Sequence, residues 1–513
     1  MQAVRQCVSA GIREYVVCPG ARNALLIEAL VRAESAGMVT LRRHFEERSA
    51  GFFAMGRTMC SGEPCAVVTT SGTAVAELLP AVIEARYQGR PLVAITADRP
   101  ASFRGTGAPQ CITQPGIFGE HAGHGDLATW DRRSPWHLNV ELAEEMQTGD
   151  WDGTVTTIQD AQVSWPRLAV SGLARWLKDD LYRGLVVVVG DLEPEDREDA
   201  FHFLHDLKAP VVAEATSGLR EALAGLILPD PDRTLRDHPP GKVLRLGGVP
   251  SWRFWRDLEA MPGTEVWSVT PSGFPGLARE SFVTTAPVGR AFRALGEIEE
   301  AGDALDHLDR ASRRSAEIDE LLEAYPESEP GMLRTLSHYV AMGSGLFLGN
   351  SLPIREWNLF AQRDRPIPEV RANRGVNGID GQISTWLGAT ATRENAWCVL
   401  GDLTALYDLS APAMLGQVVT RGRTLVVIQN HGGSIFSRLP CTKNLSPRTR
   451  DIMRNAQDAS LSHWAEMWGL RHVRISSGDD FDLLEPAEST TIVELTPSQG
   501  ETALFWETWD NLK

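Results

Sequence analysis

Short runs rich in β-branched residues recur along this chain, each closing on a small or polar turn and leading into a helical pattern. EYVVCPG (14–20) runs into ALLIEALVRAE, CAVVTTSGTA (65–74) runs into AVAELLPAVIEARYQG, and PLVAITADRP (91–100) is a third such strand. Apolar runs of this length with helices between them imply strands covered on both faces, and hence parallel α/β sheets. The rhythm returns in LFLGNS (346–351), WCVLGDLTA (397–405) and TLVVIQN (424–430), while LVVVVG (185–190), APVVAEA (209–215) and KVLRLGG (242–248) supply strands between. At 513 residues the chain exceeds what a single core holds. Polar, acidic stretches, EEMQTGDWDG (144–153) and EAYPESEPG (323–331), separate the blocks. The expected architecture is three parallel-sheet α/β domains, 1–160, 161–325 and 326–513.

Charge and composition exclude several functions. A formal net charge of −17 argues against non-specific nucleic-acid binding, so any anionic substrate needs a local cluster of Arg. No apolar run reaches the roughly 18 residues of a membrane span, and MQAVRQCVSAG lacks a signal-peptide core. Seven scattered Cys fit a reducing compartment, and the expected location is the cytoplasm. Cys60 and Cys65 form a close pair with no second pair facing it, which favours ordinary small apolar residues over zinc. His121, His124 and His137 show neither ligand nor triad spacing. TTSGTA (69–74) lacks the first Gly of a nucleophile elbow, and no G-x-G-x-x-G follows a strand in the first domain.

In open α/β sheets ligands bind at the carboxyl ends of strands. Gly401-Asp402 follows one strand and Asn430 follows the next, about 28 residues on, the length of a strand–helix–strand unit. A carboxylate, an amide oxygen and a backbone carbonyl are hard donors suited to Mg²⁺, and the glycines of NHGG let backbone approach a diphosphate. Two unrelated turns explain the same residues. HFEERSAGFFAMG (44–56) sets two acids and an Arg at a helix start, which a charged N-terminus with a capping Glu or Ser49 also explains. Arg22 in PGARN, Arg99 in TADRP, Arg355 in GNSLPIR and Arg374 in ANRGVNGIDG all fall at expected strand ends. Together they suit carboxylate uptake.

HFEERSAGFF, TTSGTAVAELLPAVIEA, TADRP, GNSLPIR, ANRGVNGIDG, GDLTALYDL and NHGGSIF occur in one order, and in that order the chain resembles the menaquinone-pathway synthase family of the thiamine diphosphate enzymes. The resemblance implies pyrimidine-binding, central and diphosphate-binding domains, with active sites at the interfaces of a homodimer or dimer of dimers. By resemblance, Asp402, Asn430 and the Gly432 carbonyl bind Mg²⁺ or Mn²⁺, and Gly401, Leu403 and Ile435 lie with the thiamine diphosphate. Ser71, Gly72 and Thr73 also match cofactor-binding positions, Ile379 matches the bulky apolar residue that holds the cofactor bent, and Glu47 matches the catalytic acid that shares a proton with the aminopyrimidine. The implied reaction decarboxylates 2-oxoglutarate and adds the succinyl-semialdehyde carbanion equivalent to isochorismate. Ser351, Arg355 and Arg374 match catalytic positions beside the 2-oxoglutarate-derived moiety. Arg22, Arg99 and Gln110 match positions around isochorismate, and Phe436 matches an apolar wall.

The chain departs from the family pattern at Ala21, where a Ser hydroxyl is expected, and at Pro109, where an Asn is usual. Gln429 and His431 replace two Asn of the metal loop, and Trp252 stands where a basic residue is expected. Three of these four changes concern the acceptor side. They leave open a paralogue with another acceptor, and a non-catalytic subunit of the same fold.

Overall fold

The computed structural model describes residues 2–143, 165, 168–179, 184–296, 298–301, 304–340, 344–367, 369–442, 444–485 and 487–512. The acidic stretch 144–153 and the expected boundary at 160/161 lie outside them. Two compact units are present: 1–164 with 375–393 and 404–420, and 165–374 with 394–403 and 421–513.

The first unit carries a six-stranded sheet of β1 (Glu14–Val17), β2 (Thr40–Arg43), β3 (Cys65–Thr69), β4 (Leu92–Asp98), β5 (Gly123–His124) and β6 (Trp136–Glu141), ordered β2-β1-β3-β4-β6-β5. Every pairing is parallel. All residues of β3 and β4 are buried, as expected for strands covered on both faces. The single helix expected after TTSG is two, Thr73–Ala76 and Leu79–Gln88. Pro80 cannot donate to the carbonyl of Ala76, so the chain restarts with Pro80 in the first turn of the second helix.

In the same unit the helix Glu47–Ser61 crosses the helix Gln382–Ala389 at backbone contact. A Cβ at Gly56 would stand 2.1 Å from the Thr385 carbonyl, and one at Gly388 would stand 2.1 Å from the Phe53 carbonyl. Glycine at both positions is what allows the two axes to approach so closely.

The second unit holds two parallel sheets. One comprises β7 (Leu185–Val189), β8 (Val211–Ala213), β9 (Lys242–Leu246), β10 (Glu265–Thr270) and β11 (Phe282–Thr285), ordered β11-β10-β9-β7-β8. The other comprises β12 (Gly345–Leu348), β13 (Glu369–Arg371), β14 (Ala396–Gly401), β15 (Thr424–Ile428), β16 (Arg471–Ile475) and β17 (Thr491–Leu495), ordered β13-β12-β14-β15-β17-β16. Each sheet is flanked by its own apolar cluster, built on Val187, Val189 and Leu244 in one and on Leu348, Val399 and Val426 in the other. Among the described residues no helix is long and apolar enough to cross a membrane.

His137 on β6 is buried between the Thr96 hydroxyl, 2.8 Å from Nε2, and the Phe118 ring. Burial, and then the neighbouring His124, push its imidazole down to about 4 from the ordinary 6.5, against the opposing pull of Asp98. The folded protein therefore holds His137 neutral where the unfolded chain would protonate it. Stability from this residue is complete above about pH 6.5 and is lost as the pH falls toward 4, by at most about 3 kcal/mol. His137→Gln should show a smaller drop in urea midpoint than the parent between pH 7 and 4.5; equal drops would mean that His137 carries none of it.

Candidate functional site

The parallel pairing of β14 with β15 sets Gly401 beside Ile428, so both strands deliver their next residues to one edge of the sheet. Asp402 is buried there. Its Oδ1 accepts from the Leu403 amide at 2.6 Å and its Oδ2 from the Gly432 amide at 2.7 Å. Burial raises the Asp402 carboxyl above its usual range, with these amides and His431 opposing. The loop beyond β15 turns through positive φ at His431 (61°) and Gly432 (100°). A Cβ at Gly432 would lie 2.2 Å from the Arg454 carbonyl, so only glycine fits. The turn is braced by the Arg454 guanidinium, which donates to the Asn430 and His431 carbonyls.

Asn430 is half-buried, and its Oδ1 is itself buried and accepts no hydrogen bond. A buried, unpartnered amide oxygen and a buried carboxylate at the ends of adjacent strands are donors that a hard cation suits. The Gly432 carbonyl, the third expected donor, accepts from the Ser434 amide at 2.7 Å and keeps its second lone pair. Among the described residues no group of three or more His, Cys, Asp or Glu is placed to hold a metal. Cys65 is buried and Cys60 exposed. Ile435 is half-buried, and Phe436 lines a cavity of about 750 Å³ with Asn430, Ser434, Arg438, Arg454 and Trp506.

At the same sheet edge, Ser351 follows β12 with φ +76°, a conformation rare for a residue with a side chain and a form of strain that recurs at functional sites. Arg355, one helical turn on, donates to the Ser351 carbonyl. Burial, then the Arg374 charge, push the Arg355 guanidinium down to about 10. Arg374 follows β13, is buried, and donates to Asn350 Oδ1 at 3.0 Å. Its Nη2 lies 3.7 Å from the Glu214 carboxylate, while its Nε and Nη2 make no hydrogen bond. A guanidinium with buried, unused donors at Arg374, with the Arg355 charge near it, fits an incoming carboxylate.

The first unit carries the remaining expected residues. Glu46 caps the helix Glu47–Ser61, accepting from the Arg48 and Ser49 amides, as the capping alternative anticipated. Burial would raise Glu46, but hydrogen bonds from Ser49 and Ser410 and the Arg48 charge bring it below the usual range. Glu47 goes the other way: half-burial, then the charges of Glu46 and Glu77, raise it. Adjacent acids pushed apart in this way can divide into a structural carboxylate and a proton-holding acid. At the end of β3 the Thr69, Thr70 and Ser71 hydroxyls are buried without a partner. Gly72 has φ +85° and donates to Gln114 Oε1 at 3.0 Å; Thr73 is exposed and Ile379 half-buried. Arg22 donates to the Leu142 carbonyl, and Arg99 donates to the Pro109 carbonyl and lies over the Phe103 ring. Gln110, at φ 54°, stands against Gly72, where an added Cβ would lie 3.2 Å from the Gln110 Cα.

Expected site residues thus divide between the units. Glu47, Ser71, Gly72, Thr73, Ile379, Arg22, Arg99 and Gln110 belong to the first, and the Asp402, Asn430 and Arg374 groups to the second. Of the departures, Ala21 is exposed, Pro109 supplies a carbonyl to Arg99, and Trp252 is buried in an apolar cluster with Phe254 and Trp255. Trp252 therefore packs as a core residue. Sequence reasoning missed Glu214, Gln114 and Glu329. Glu214 lies in a strand-to-turn segment that reads as ordinary, and Glu329 in a stretch that reads as an acidic spacer. Ser328-Glu329-Pro330 is in fact a helix start, with Ser328 as its cap, and that signal was available.

Residues 2–117 match the family model described as thiamine pyrophosphate enzyme, N-terminal TPP binding domain. The chain is 47% identical to a 2-succinyl-5-enolpyruvyl-6-hydroxy-3-cyclohexene-1-carboxylate synthase of Akkermansia muciniphila, over 97% of this chain and 95% of that protein. Proteins of the same name from Bdellovibrio bacteriovorus and Nocardioides sp. are 36% and 37% identical. Those alignments cover 100% and 84% of this chain, and 98% and 81% of the relatives.

The Arg374–Glu214 contact gives this geometry its own check. Removing one member of a buried charge pair typically costs about 3–5 kcal/mol, because the other stays charged. Glu214→Gln should destabilise the protein in urea, and Glu214→Gln with Arg374→Gln should recover part of the loss. Strict additivity would mean that the two groups are not coupled.

Proposed function

The chain belongs to the 2-succinyl-5-enolpyruvyl-6-hydroxy-3-cyclohexene-1-carboxylate synthases, and from that premise we propose a division of labour among its own residues. The protein is a thiamine diphosphate-dependent transferase that decarboxylates 2-oxoglutarate and joins the remaining four-carbon unit to isochorismate, releasing CO₂. When bound, the cofactor supplies the electron sink that makes loss of CO₂ from a 2-oxo acid possible.

Asp402, Asn430 and the Gly432 carbonyl would hold Mg²⁺ or Mn²⁺, and Gly401, Leu403 and Ile435 would line the cofactor site. The unpartnered Asn430 Oδ1 is the observation that most supports this reading. Glu47, its carboxyl raised by burial and its acidic neighbours, would serve as the acid toward the aminopyrimidine ring when the cofactor is bound, while Glu46 stays ionised as the helix cap. Ser71, Gly72 and Thr73, with Ile379, shape the ring pocket; the buried hydroxyls at the end of β3 support that placement. Arg355, Arg374 and Ser351 take the carboxylates of the 2-oxoglutarate-derived unit. Arg22, Arg99 and Gln110 orient isochorismate, and Phe436 closes an apolar side against water.

A cytoplasmic homodimer or dimer of dimers, with domains at 1–160, 161–325 and 326–513 serving the pyrimidine, central and diphosphate roles, completes the proposal. The three sheets, one in each range, support the domain assignment. An acceptor other than isochorismate is the competing reading, motivated by Ala21 and Pro109.

Purified protein with Mg²⁺ and thiamine diphosphate should consume isochorismate only when 2-oxoglutarate is present, with a succinylated product by mass. CO₂ release without isochorismate loss would move the acceptor assignment elsewhere. Glu47→Gln should lower turnover by about 10²–10⁴; near-parent turnover would remove Glu47 from the mechanism.

A further inference from the structure

An amide side chain has two ends of nearly equal size, one donating and one accepting, and a cation site needs the accepting end. Asn430 has that choice made for it. Its Nδ2 lies 3.0 Å from Oε1 and 3.1 Å from Oε2 of Glu329, so both carboxylate oxygens face the donating end and Oδ1 is turned away, buried and unpartnered. Glu329 is itself fixed. It opens the helix Glu329–Tyr339, its amide donates to the Thr502 hydroxyl at 2.9 Å, and its side chain is fully enclosed beside the Glu356 carboxyl.

We infer that Glu329 is a positioning residue for the cation site, aiming the Asn430 amide oxygen by holding its nitrogen from behind. The inference rests on the proposed Mg²⁺ site and goes beyond it, since Glu329 meets the nitrogen of the Asn430 amide and is not among the proposed donors. A helix N-terminus accounts for an acid at this point in the chain, because negative charge is favoured there. It does not account for two oxygens converging on one amide nitrogen at the edge of the site. Partners of this kind behind metal ligands typically change affinity about tenfold to a hundredfold when removed.

The test uses full-length protein with thiamine diphosphate and Mn²⁺ as the probe, with free Mn²⁺ read by electron paramagnetic resonance. Glu329→Ala should weaken Mn²⁺ binding by about tenfold to a hundredfold. Glu329→Gln, which keeps an accepting oxygen, should stay close to the parent. In an Asn430→Asp background there is no amide to orient, and Glu329 becomes a second buried acid against the new carboxylate. There the orientation effect is gone, and Glu329→Ala should change Mn²⁺ binding much less than in the parent background. Unfolding curves of the metal-free variants establish that each is folded.

An unchanged affinity in Glu329→Ala would overturn the inference alone. So would an equal loss in both backgrounds, which would make Glu329 a structural residue only. If the parent protein binds no Mn²⁺ with the cofactor present, the Asp402–Asn430–Gly432 assignment falls first and this inference with it.

Discussion

The constraint on which the site at the edge of the β12–β17 sheet depends is that parallel strands all finish on the same edge of their sheet. Because β13, β12, β14 and β15 are neighbours in that order and all point one way, the segments that follow them emerge side by side. Those segments carry Arg374, Ser351, Asp402 and Asn430. Residues far apart in sequence become one constellation without any long-range contact designed for it. The Asp402 bond to the Gly432 amide then locks the following loop into a backbone shape that requires glycine.

Charge at this edge is sorted by sign. Arg355 and Arg374 face Glu214, whereas Asp402 and Glu329 flank the Asn430 amide. Taking ions out of water costs several kcal/mol each unless partners replace the solvent. Each group here has some partners and lacks others: Arg374 keeps unused donors, Asn430 an unused acceptor. That incompleteness suits a site whose last partners are ligands, a carboxylate on one side and a cation on the other. In the first unit the same physics separates Glu46 from Glu47, one ionised by its cap hydrogen bonds and one raised by burial and its neighbour's charge.

The departures from the family pattern look different once placed. Trp252 packs with Phe254 and Trp255 in an apolar cluster, where volume and apolarity account for a Trp. Pro109 removes a side-chain amide but keeps a carbonyl in contact with Arg99, and the turn it belongs to still carries Gln110 against Gly72. The loop after β15 carries Gln429 and His431 where the family pattern has Asn, so one side-chain amide is lost, at His431, and Asn430, whose oxygen is unpartnered, is kept.

Sequence alone was enough for the sheets and for most of the strand-end residues, because period, turn chemistry and the rule about strand ends are local or topological. β14 and β15 were legible as apolar runs closing on Gly-Asp and Asn-His-Gly-Gly, and the residues that count at their ends follow within a few positions. The helix break before Pro80 is also written in the chain, although the apolar periodicity runs on through it. Tertiary structure decided what no window of sequence contains: that Glu214 stands against Arg374, that Gln114 holds Gly72, and that Glu329 lies behind Asn430. Each of these partners comes from a segment distant in the chain, and a carboxylate's role is set by what burial places next to it.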